Sequence, residues 1–119
     1  MGRRSRLPVE FDVHVDRRLP EPVEVAAYYV VSEALTNAAK HADASVVHVE
    51  LDARDTIVRL VVCDDGIGGA DARGSGLLWL SDRIEALGGT LQVTSPVGKG
   101  TTLAIEIPSE GPRDQPLIR

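Results

Sequence analysis

Apolar and polar residues alternate along the first patterned segment of the chain, residues 7–15. A repeat of two is typical of a strand with one face in the core, so this segment predicts a half-buried β-strand. The apolar positions of the strand are Val9, Phe11, Val13 and Val15. Pro20 and Pro22 then indicate a connection, and Pro22 suits the first turn of a following helix.

Two longer segments repeat their apolar residues every three or four positions, which predicts helices that each bury one face. The first covers residues 23–41 and ends at residues 43–45. Its apolar residues are Ala27, Val30, Val31, Ala34, Leu35 and Ala38. The second covers residues 77–87, and Gly88 and Gly89 terminate it. Its apolar stripe consists of Leu77, Leu80, Ile84 and Leu87.

The remaining apolar segments are shorter and predict strands. Residues 46–53 and 56–63 form an antiparallel hairpin that turns at Arg54 and Asp55. Residues 90–95 and 101–107 flank a loop at residues 96–100. The order of the elements predicts an α+β fold, a two-layer sandwich in which helices cover one face of a mostly antiparallel sheet.

The length of 119 residues predicts a single domain, which we place at residues 7–108. Residues 1–6 form a basic N-terminal extension. Residues 109–119 carry two prolines and little apolar content, and we expect a disordered tail there. Only 3% of the residues are aromatic, so the core must be aliphatic.

Composition narrows the range of functions. The formal net charge of -5 argues against nucleic-acid binding, which needs a basic face. No apolar run approaches the roughly 20 residues that span a bilayer, so we expect no membrane contact by this domain and a cytoplasmic location, whether or not a parent protein is membrane-attached. Cys63 is the only cysteine, which excludes a disulfide framework.

A polar stripe interrupts the longer helix. At 100° per residue, four polar side chains fall within an arc of about 100°, and they are Glu33, Asn37, Lys40 and His41. Asn37 offers an oxygen to a hard cation such as Mg²⁺, and Lys40 offers positive charge to phosphate oxygens. The alternative is an ordinary solvated helix face.

Asp64 follows an apolar strand and precedes Gly66, Gly68 and Gly69. A carboxylate at a strand end can accept a hydrogen bond from an amine, while glycines let the backbone approach a flat ring closely. The alternative is a plain Asp-Gly turn. The spacing does not match a dinucleotide fingerprint.

Two further glycine motifs follow. Gly74 and Gly76 lead into Leu77 and the second helix. Free backbone N–H groups at the start of a helix favour an anion such as phosphate. The alternative is a flexible connection before the helix. Gly98 and Gly100 flank Lys99 before a strand. This second motif is not a P-loop, and a glycine hairpin is its default explanation.

Taken together and in this order, the four motifs closely resemble the ATP-binding domain of bacterial sensor histidine kinases, in the superfamily shared with gyrase, Hsp90 and MutL-type ATPases. The resemblance covers about residues 7–108 and implies the Bergerat-type ATP-binding fold. The short connection between the Asp64 motif and Gly74, with the helix that follows, is similar to the nitrate-sensor and DesK-like subgroup, which has a short ATP lid.

The resemblance implies an Mg-ATP site. The residues implied in nucleotide binding are Asn37, Lys40, His41, Asp64, Gly66, Gly68, Gly74, Gly76, Leu77 and Thr101. Asn37 would ligate Mg²⁺, and Asp64 would accept a hydrogen bond from the adenine amino group. Thr101 would reach the adenine pocket. Lys40 and His41 would lie near the phosphates.

The glycines have implied roles as well. Gly66 and Gly68 would let the backbone pass beside the base, and Gly74 and Gly76 would form the lid over the phosphates. Glu33 and Asn37 are the candidate catalytic and metal-binding residues, with Glu33 in the Mg²⁺ shell or polarising a reacting group, and base catalysis as a lesser option.

One departure from the subgroup is Trp79, which stands where the subgroup usually has a glycine. We expect the indole to pack over the lid or against a partner surface. A second departure is the lack of an acceptor: His14 and His48 lie in predicted strands, and His41 belongs to the nucleotide motif.

The predicted function is therefore that of a catalytic domain that binds ATP and transfers the γ-phosphoryl group to a histidine on a separate dimerisation domain, with a response regulator as an indirect partner. Two alternatives stay open. One is a free-standing serine kinase of the anti-sigma-factor type, and the other is a degenerate module that binds partners only. We expect the isolated domain to be a monomer.

Overall fold

A computed structural model describes residues 7–15, 17–40, 44–54, 56–69 and 74–109. In chain order, the elements are strand β1 (Val9–His14), helix α1 (Glu21–Lys40), strands β2 (Val47–Arg54) and β3 (Ile57–Asp64), helix α2 (Ser75–Ala86), and strands β4 (Thr90–Thr94) and β5 (Thr101–Pro108). Each element agrees with its predicted segment to within about two residues at either end.

The five strands form one sheet in the order β1-β2-β3-β5-β4. β1 pairs with β2 in parallel, whereas the other three pairs are antiparallel. The predicted mixed, mostly antiparallel sheet and the α+β class are therefore confirmed. The centre of the sheet is β3, whose last residue, Asp64, lies opposite both Val47 and Thr101.

Both helices pack on one face of the sheet, α1 against β2 and β3 and α2 against β4. The strands alternate buried and exposed residues as a half-covered sheet requires. Every buried apolar residue of the core is Ala, Val, Leu or Ile, whereas Phe11, Tyr28, Tyr29 and Trp79 are exposed. The predicted aliphatic core is therefore confirmed.

Local chemistry sets the ends of the helices. Pro22 lies in the first turn of α1, as predicted, and the Pro20 carbonyl accepts hydrogen bonds from the amides of Val23 and Glu24. At the end of α2, Gly88 adopts a φ of 80° and donates to Glu85, while Gly89 donates to Ile84. This pair of bonds is a Schellman motif, so the predicted termination of α2 is confirmed.

The prediction of a half-buried first strand is wrong for its central residues. Phe11 and Val13 are 64% and 52% exposed. Their register with Val49 and Leu51 places them on the helix side of the sheet. β1 is the edge strand there, and the helices cover β2, β3 and β4 instead. The alternation therefore predicted the strand but not the extent of the helix layer.

Residues 1–6 and 110–119, to which the basic extension and most of the tail were assigned, lie outside the described residues. Ser109 is described, and it is buried with its amide donating to the Thr56 carbonyl. Folded structure thus continues through Ser109. Among the described residues, neither helix has the length and apolarity needed to cross a membrane.

Candidate functional site

A cavity opens between the helix layer and the ends of β3 and β5, where the sequence motifs converge. It is lined by Glu33, Ala34, Asn37, Val62, Asp64, Leu77, Thr101 and Leu103. Five of these are predicted site residues, namely Glu33, Asn37, Asp64, Leu77 and Thr101. The cavity measures about 20 Å³, which is room for a water molecule but not for a flat heterocycle. A larger ligand therefore needs the walls to separate.

One wall of the cavity comes from the sheet, and we call Val62, Asp64, Thr101 and Leu103 the sheet wall. The β3–β5 register pairs Asp64 with Thr101 and Val62 with Leu103. Residues two apart on a strand share a face, so all four side chains point to the helix side. The sheet wall is thus apolar at its inner end, at Val62 and Leu103, and polar at its rim, at Asp64 and Thr101.

Hydrogen bonds fix the polar rim. Oδ1 of Asp64 accepts a bond of 2.8 Å from the Gly66 amide. Thr101 is buried, and its hydroxyl lies 2.6 Å from the Ser95 hydroxyl. The Gly66 bond leaves Oδ2 of Asp64 as an acceptor that an amine in the cavity could use.

Close backbone approach explains two of the glycines near the rim. Gly68 and Gly100 adopt φ values of 72° and 78°. A Cβ on Gly68 would overlap the Pro96 carbonyl, and one on Gly100 would overlap the Asp64 carbonyl. The loops at 66–69 and 96–100 also exchange backbone bonds, Gly69 N to Ser95 O and Gly98 N to Ile67 O. These glycines let the two loops pack against each other beside Asp64.

The opposite wall comes from the helices, and we call Glu33, Ala34, Asn37 and Leu77 the helix wall. Glu33 and Asn37 lie one turn apart on α1. The Glu33 carboxylate reaches the first turn of α2, where it occupies the position that a Cβ on Gly76 would take. The absence of a side chain at Gly76 thus makes room for the Glu33 carboxylate.

Helix α2 begins at the edge of the cavity. Gly74 is its N-cap residue in an extended conformation, with no side-chain capping bond, and its carbonyl accepts from the Leu78 amide at 2.9 Å. The first-turn amides of a helix carry partial positive charge, which attracts the Glu33 carboxylate and equally suits a phosphate.

Asp65 is a site feature that the sequence interpretation missed. Its carboxylate accepts hydrogen bonds from the Ser45 amide at 2.8 Å, from the Ser45 hydroxyl, and from the Val46 amide at 3.2 Å. These bonds, above all the one from the Ser45 hydroxyl, hold the pKa of Asp65 below its ordinary value. The signal was an acidic residue directly after Asp64, with a serine at the start of the neighbouring strand.

Trp79 joins the two helices on their outer side. Its ring meets the Tyr29 ring edge-on at a centroid distance of 5.1 Å, and the Arg83 guanidinium lies 4.9 Å from its centroid. Such contacts stabilise by about 0.5 to 1.5 kcal/mol each. The indole thus packs against α1 one turn away from Glu33.

The remaining predicted residues divide into two groups. Gly66, Gly68, Gly74 and Gly76 lie in the loops and the helix turn that border the cavity. His41 and the side chain of Lys40 lie outside the described residues. The apolar lining by Ala34, Val62 and Leu103 was not predicted, although the two-residue spacing of Val62 from Asp64 and of Leu103 from Thr101 was a readable signal.

The polar groups of the cavity suit a hard cation only in part. Within the described ranges, no group of three or more His, Cys, Asp or Glu side chains could hold a metal ion. Glu33 and Asn37 supply oxygen atoms, the ligands that Mg²⁺ prefers, and Mg²⁺ is commonly held by one or two protein oxygens together with phosphates and water. The residues present therefore fit a phosphate-bound Mg²⁺.

Comparisons with known proteins agree with this geometry. A family model described as "Histidine kinase-, DNA gyrase B-, and HSP90-like ATPase" matches residues 23–111. The signal transduction histidine-protein kinase/phosphatase DegS of Brevibacillus brevis is 40% identical over 95 residues, which cover 76% of this chain and 25% of DegS.

Solved structures give the same result. The histidine kinase domain of the Erythrobacter litoralis EL346 blue-light activated histidine kinase matches with a TM-score of 0.70 and 28% identity, over 88% of this chain and 54% of that chain. Full-length ShkA, crystallised in complex with AMPPNP, matches with a TM-score of 0.70 and 26% identity, over 86% of this chain and 25% of that chain.

The chain spans about a quarter of the length of DegS. The matched region contains α2, all but the first two residues of α1, the sheet wall and the helix wall, so the similarity extends over the whole candidate site. The chain belongs to the histidine kinase-, DNA gyrase B- and HSP90-like ATPase family, as an ATP-binding domain of the kind found in sensor histidine kinases.

Proposed function

We propose that this chain binds Mg-ATP and positions the γ-phosphoryl group for transfer to a histidine side chain on a separate dimerisation domain. One observation carries the proposal. A single cavity brings a strand-end carboxylate, Asp64, together with the oxygen ligands Glu33 and Asn37 and with the N-terminus of α2. Groups that suit an adenine base and groups that suit phosphates therefore lie in the same cavity. AMPPNP in the ShkA complex supports a nucleotide as the ligand class.

In this proposal, the sheet wall binds the base. Oδ2 of Asp64 accepts a hydrogen bond from the adenine amino group, while Oδ1 stays bonded to the Gly66 amide. Thr101 borders the same end, where its hydroxyl and that of Ser95 can hold a bridging water. Val62 and Leu103 contact the flat ring, so the ring exchanges water for apolar side chains.

The helix wall binds the triphosphate. The Asn37 side-chain oxygen and the Glu33 carboxylate would hold Mg²⁺, and the first-turn amides of α2 beside Gly76 would donate to phosphate oxygens. When bound, Mg²⁺ would supply positive charge that neutralises the phosphates. Gly74 borders the phosphate end of this arrangement, and Gly76 leaves space for Glu33 there. The sequence resemblance alone assigns Lys40 and His41 to the phosphates.

Catalysis on this scaffold consists of positioning and electrostatic stabilisation. Residues of the helix wall hold the γ-phosphoryl group with its bond to ADP directed away from the acceptor. A neutral imidazole nitrogen of the partner domain then forms the N–P bond as the P–O bond to ADP breaks. His14 and His48 lie on β1 and β2 and do not line the cavity, so we assign the acceptor to another domain.

The test is to incubate the chain with γ-labelled ATP, Mg²⁺ and a separately produced His-bearing helical domain of a sensor histidine kinase, and then to identify the phosphorylated residue. We expect label on the helical domain that is lost in acid and retained in base, as phosphohistidine is. Acid-stable label would indicate a serine kinase of the anti-sigma-factor type instead. No labelling despite ATP binding would contradict the transfer step alone.

A further inference from the structure

The Asp65 side chain is exposed, yet its carboxylate accepts three hydrogen bonds from the protein. Both carboxylate oxygens are used: Oδ1 accepts from the Ser45 and Val46 amides, and Oδ2 accepts from the Ser45 hydroxyl. The residue is exposed and is not part of the cavity lining. Its three donors all belong to one short segment, residues 45–46, so its contacts serve that segment.

The segment lies where the β2–β3 ladder has ended. The last residue pair of the ladder is Val47 with Asp64, so Ser45 and Val46 on one side and Asp65 on the other have no ladder partners between these strands. Just beyond the ladder, the Asp65 side chain supplies hydrogen bonds in place of a backbone partner. These bonds hold Ser45 and Val46 beside the end of β3.

The same segment leads directly from the phosphate end of the proposed site. Helix α1 ends at Lys40, and the Ala44 amide donates back to the Ala38 carbonyl at 3.4 Å. Ala38 is the neighbour of Asn37. Residues 44–46, the described part of the α1–β2 connection, are therefore attached to the last turns of α1 through Ala44 and to Asp65 through Ser45 and Val46.

We infer that Asp65 is a positioning residue for the phosphate end of the nucleotide site. It anchors the α1–β2 connection to the end of β3, and so it fixes the C-terminal turns of α1, with Asn37, relative to Asp64. The inference rests on the proposed function, because it assigns Asn37 to the phosphate end and Asp64 to the base. Asp65 itself does not touch the nucleotide.

Charge explains why the anchor is an aspartate. The carboxyl group is ionised at neutral pH, and its hydrogen bonds hold its pKa below the ordinary value. Bonds to an ionised acceptor are stronger than neutral ones. An asparagine could still accept the amide bonds through its oxygen, and the Ser45 hydroxyl could turn to accept from its amide group. Alanine would remove all three bonds.

The experiment compares the affinities of Mg-ADP and of adenosine for the wild-type chain and its variants, by calorimetric titration or by ligand competition. Adenosine uses only the base end, so the ratio of the two dissociation constants reports the phosphate end. We expect Asp65→Ala to weaken Mg-ADP binding about tenfold, as loss of an orienting partner typically does, with adenosine affinity unchanged. Ser45→Ala should weaken Mg-ADP binding about threefold, since it removes the hydroxyl bond and leaves both backbone amide bonds to Asp65 in place.

Two further variants make the result specific. Asp65→Asn should keep Mg-ADP affinity within about threefold of the wild-type value, because the bonds persist in weaker, neutral form. Asp12→Ala serves as the matched control: it removes an exposed aspartate that contacts His14 on β1, away from the cavity. It should leave both affinities unchanged.

Three results would overturn the inference. Equal losses of Mg-ADP and adenosine affinity in Asp65→Ala would indicate general loosening of the fold. An unchanged ratio in all variants would show that the anchor does not reach the phosphate end. An Asp65→Asn variant as weak as Asp65→Ala would indicate a direct charge effect on the ligand. A wild-type chain that binds neither ligand would contradict the proposed function itself.

Discussion

The two walls of the cavity are built in different ways. In the sheet wall, Asp64 and Thr101 lie opposite each other in a hydrogen-bonded ladder, and both side chains already have fixed partners in Gly66 and Ser95. In the helix wall, the Glu33 carboxylate reaches from α1 to the first turn of α2 at Gly76, and no hydrogen-bonded ladder joins these two helices.

The difference indicates how a nucleotide would enter. The sheet wall has its polar rim in place before binding, so the base end is preorganised. The cavity of about 20 Å³ is too small for a base until the helix wall moves away. We therefore expect glycine substitutions beside the two walls to act differently. Those that support the sheet wall should change stability, and those beside the helix wall should change the affinity for phosphates.

The largest effect is expected at Gly100, which supports the sheet wall. Gly100→Ala would place a Cβ into the Asp64 carbonyl at a φ of 78°. Neither strand can move without breaking the ladder, so we expect a loss of about 3 kcal/mol or more in the free energy of unfolding. Thermal or urea unfolding measures it.

The matched control for this variant is Gly98→Ala in the same loop. Gly98 has a similar φ of 84°, but a Cβ there would meet nothing within 4 Å. Only the backbone conformation is penalised, at about 1 kcal/mol. Equal losses for the two variants would mean that loop contact with Asp64 does not hold the sheet wall.

A smaller effect on stability, and a larger one on ligand binding, is expected at Gly76. A Cβ at Gly76 would overlap the end of the Glu33 side chain, which can swing away. The helix gains up to about 1 kcal/mol from alanine, so we expect no loss of stability. Displacement of Glu33 should weaken Mg-ATP binding about tenfold and leave adenosine binding unchanged, as titration of both ligands would show.

The double variant Gly76→Ala with Glu33→Ala sharpens this prediction. Because the two residues contact each other, their effects should not add. If Gly76→Ala weakens Mg-ATP binding by the same factor with and without Glu33, the effect does not act through the carboxylate, and the contrast between the walls loses its support.

The smallest effect is a pH dependence at Asp65. Its pKa is lowered in the folded chain by the Ser45 and Val46 bonds, so ionised Asp65 favours the folded state above the ordinary aspartate pKa of about 3.9. The contribution disappears as pH falls through the lower, folded-state value. The melting temperatures of wild type and Asp65→Ala should therefore differ most near pH 7 and converge below about pH 4. A constant difference would contradict this.

Much of the fold was predictable because its signals are local. The three-to-four spacing of α1, the paired glycines after α2 and the apolar runs of the central strands each determine an element without reference to the rest of the chain. The exposure of Phe11 and Val13 was not predictable in this way, because it depends on which strands the helices cover, and that is a property of the assembled layers.

The candidate site likewise contains residues that local motifs predict and contacts that depend on the assembled fold. Asp64, Asn37 and Glu33 were found from their motifs, and the cavity brings them together. The contact of Glu33 with Gly76 joins residues 43 positions apart, and the bonds of Asp65 to Ser45 depend on the register of β2 with β3. Such contacts follow from packing and register, which a single sequence does not display.

The central claim is that Asp64 binds the base in a preorganised sheet wall, and the most direct measurement is a calorimetric titration of Mg-ATP into the wild-type chain and Asp64→Asn. Asparagine preserves the size of the side chain and can keep the bond from the Gly66 amide, so the fold should be unaffected. We predict saturable binding of one nucleotide by the wild type and a loss of at least about tenfold in the variant, since a bond to a charged acceptor is lost. Equal affinity of the two proteins for Mg-ATP would contradict the account.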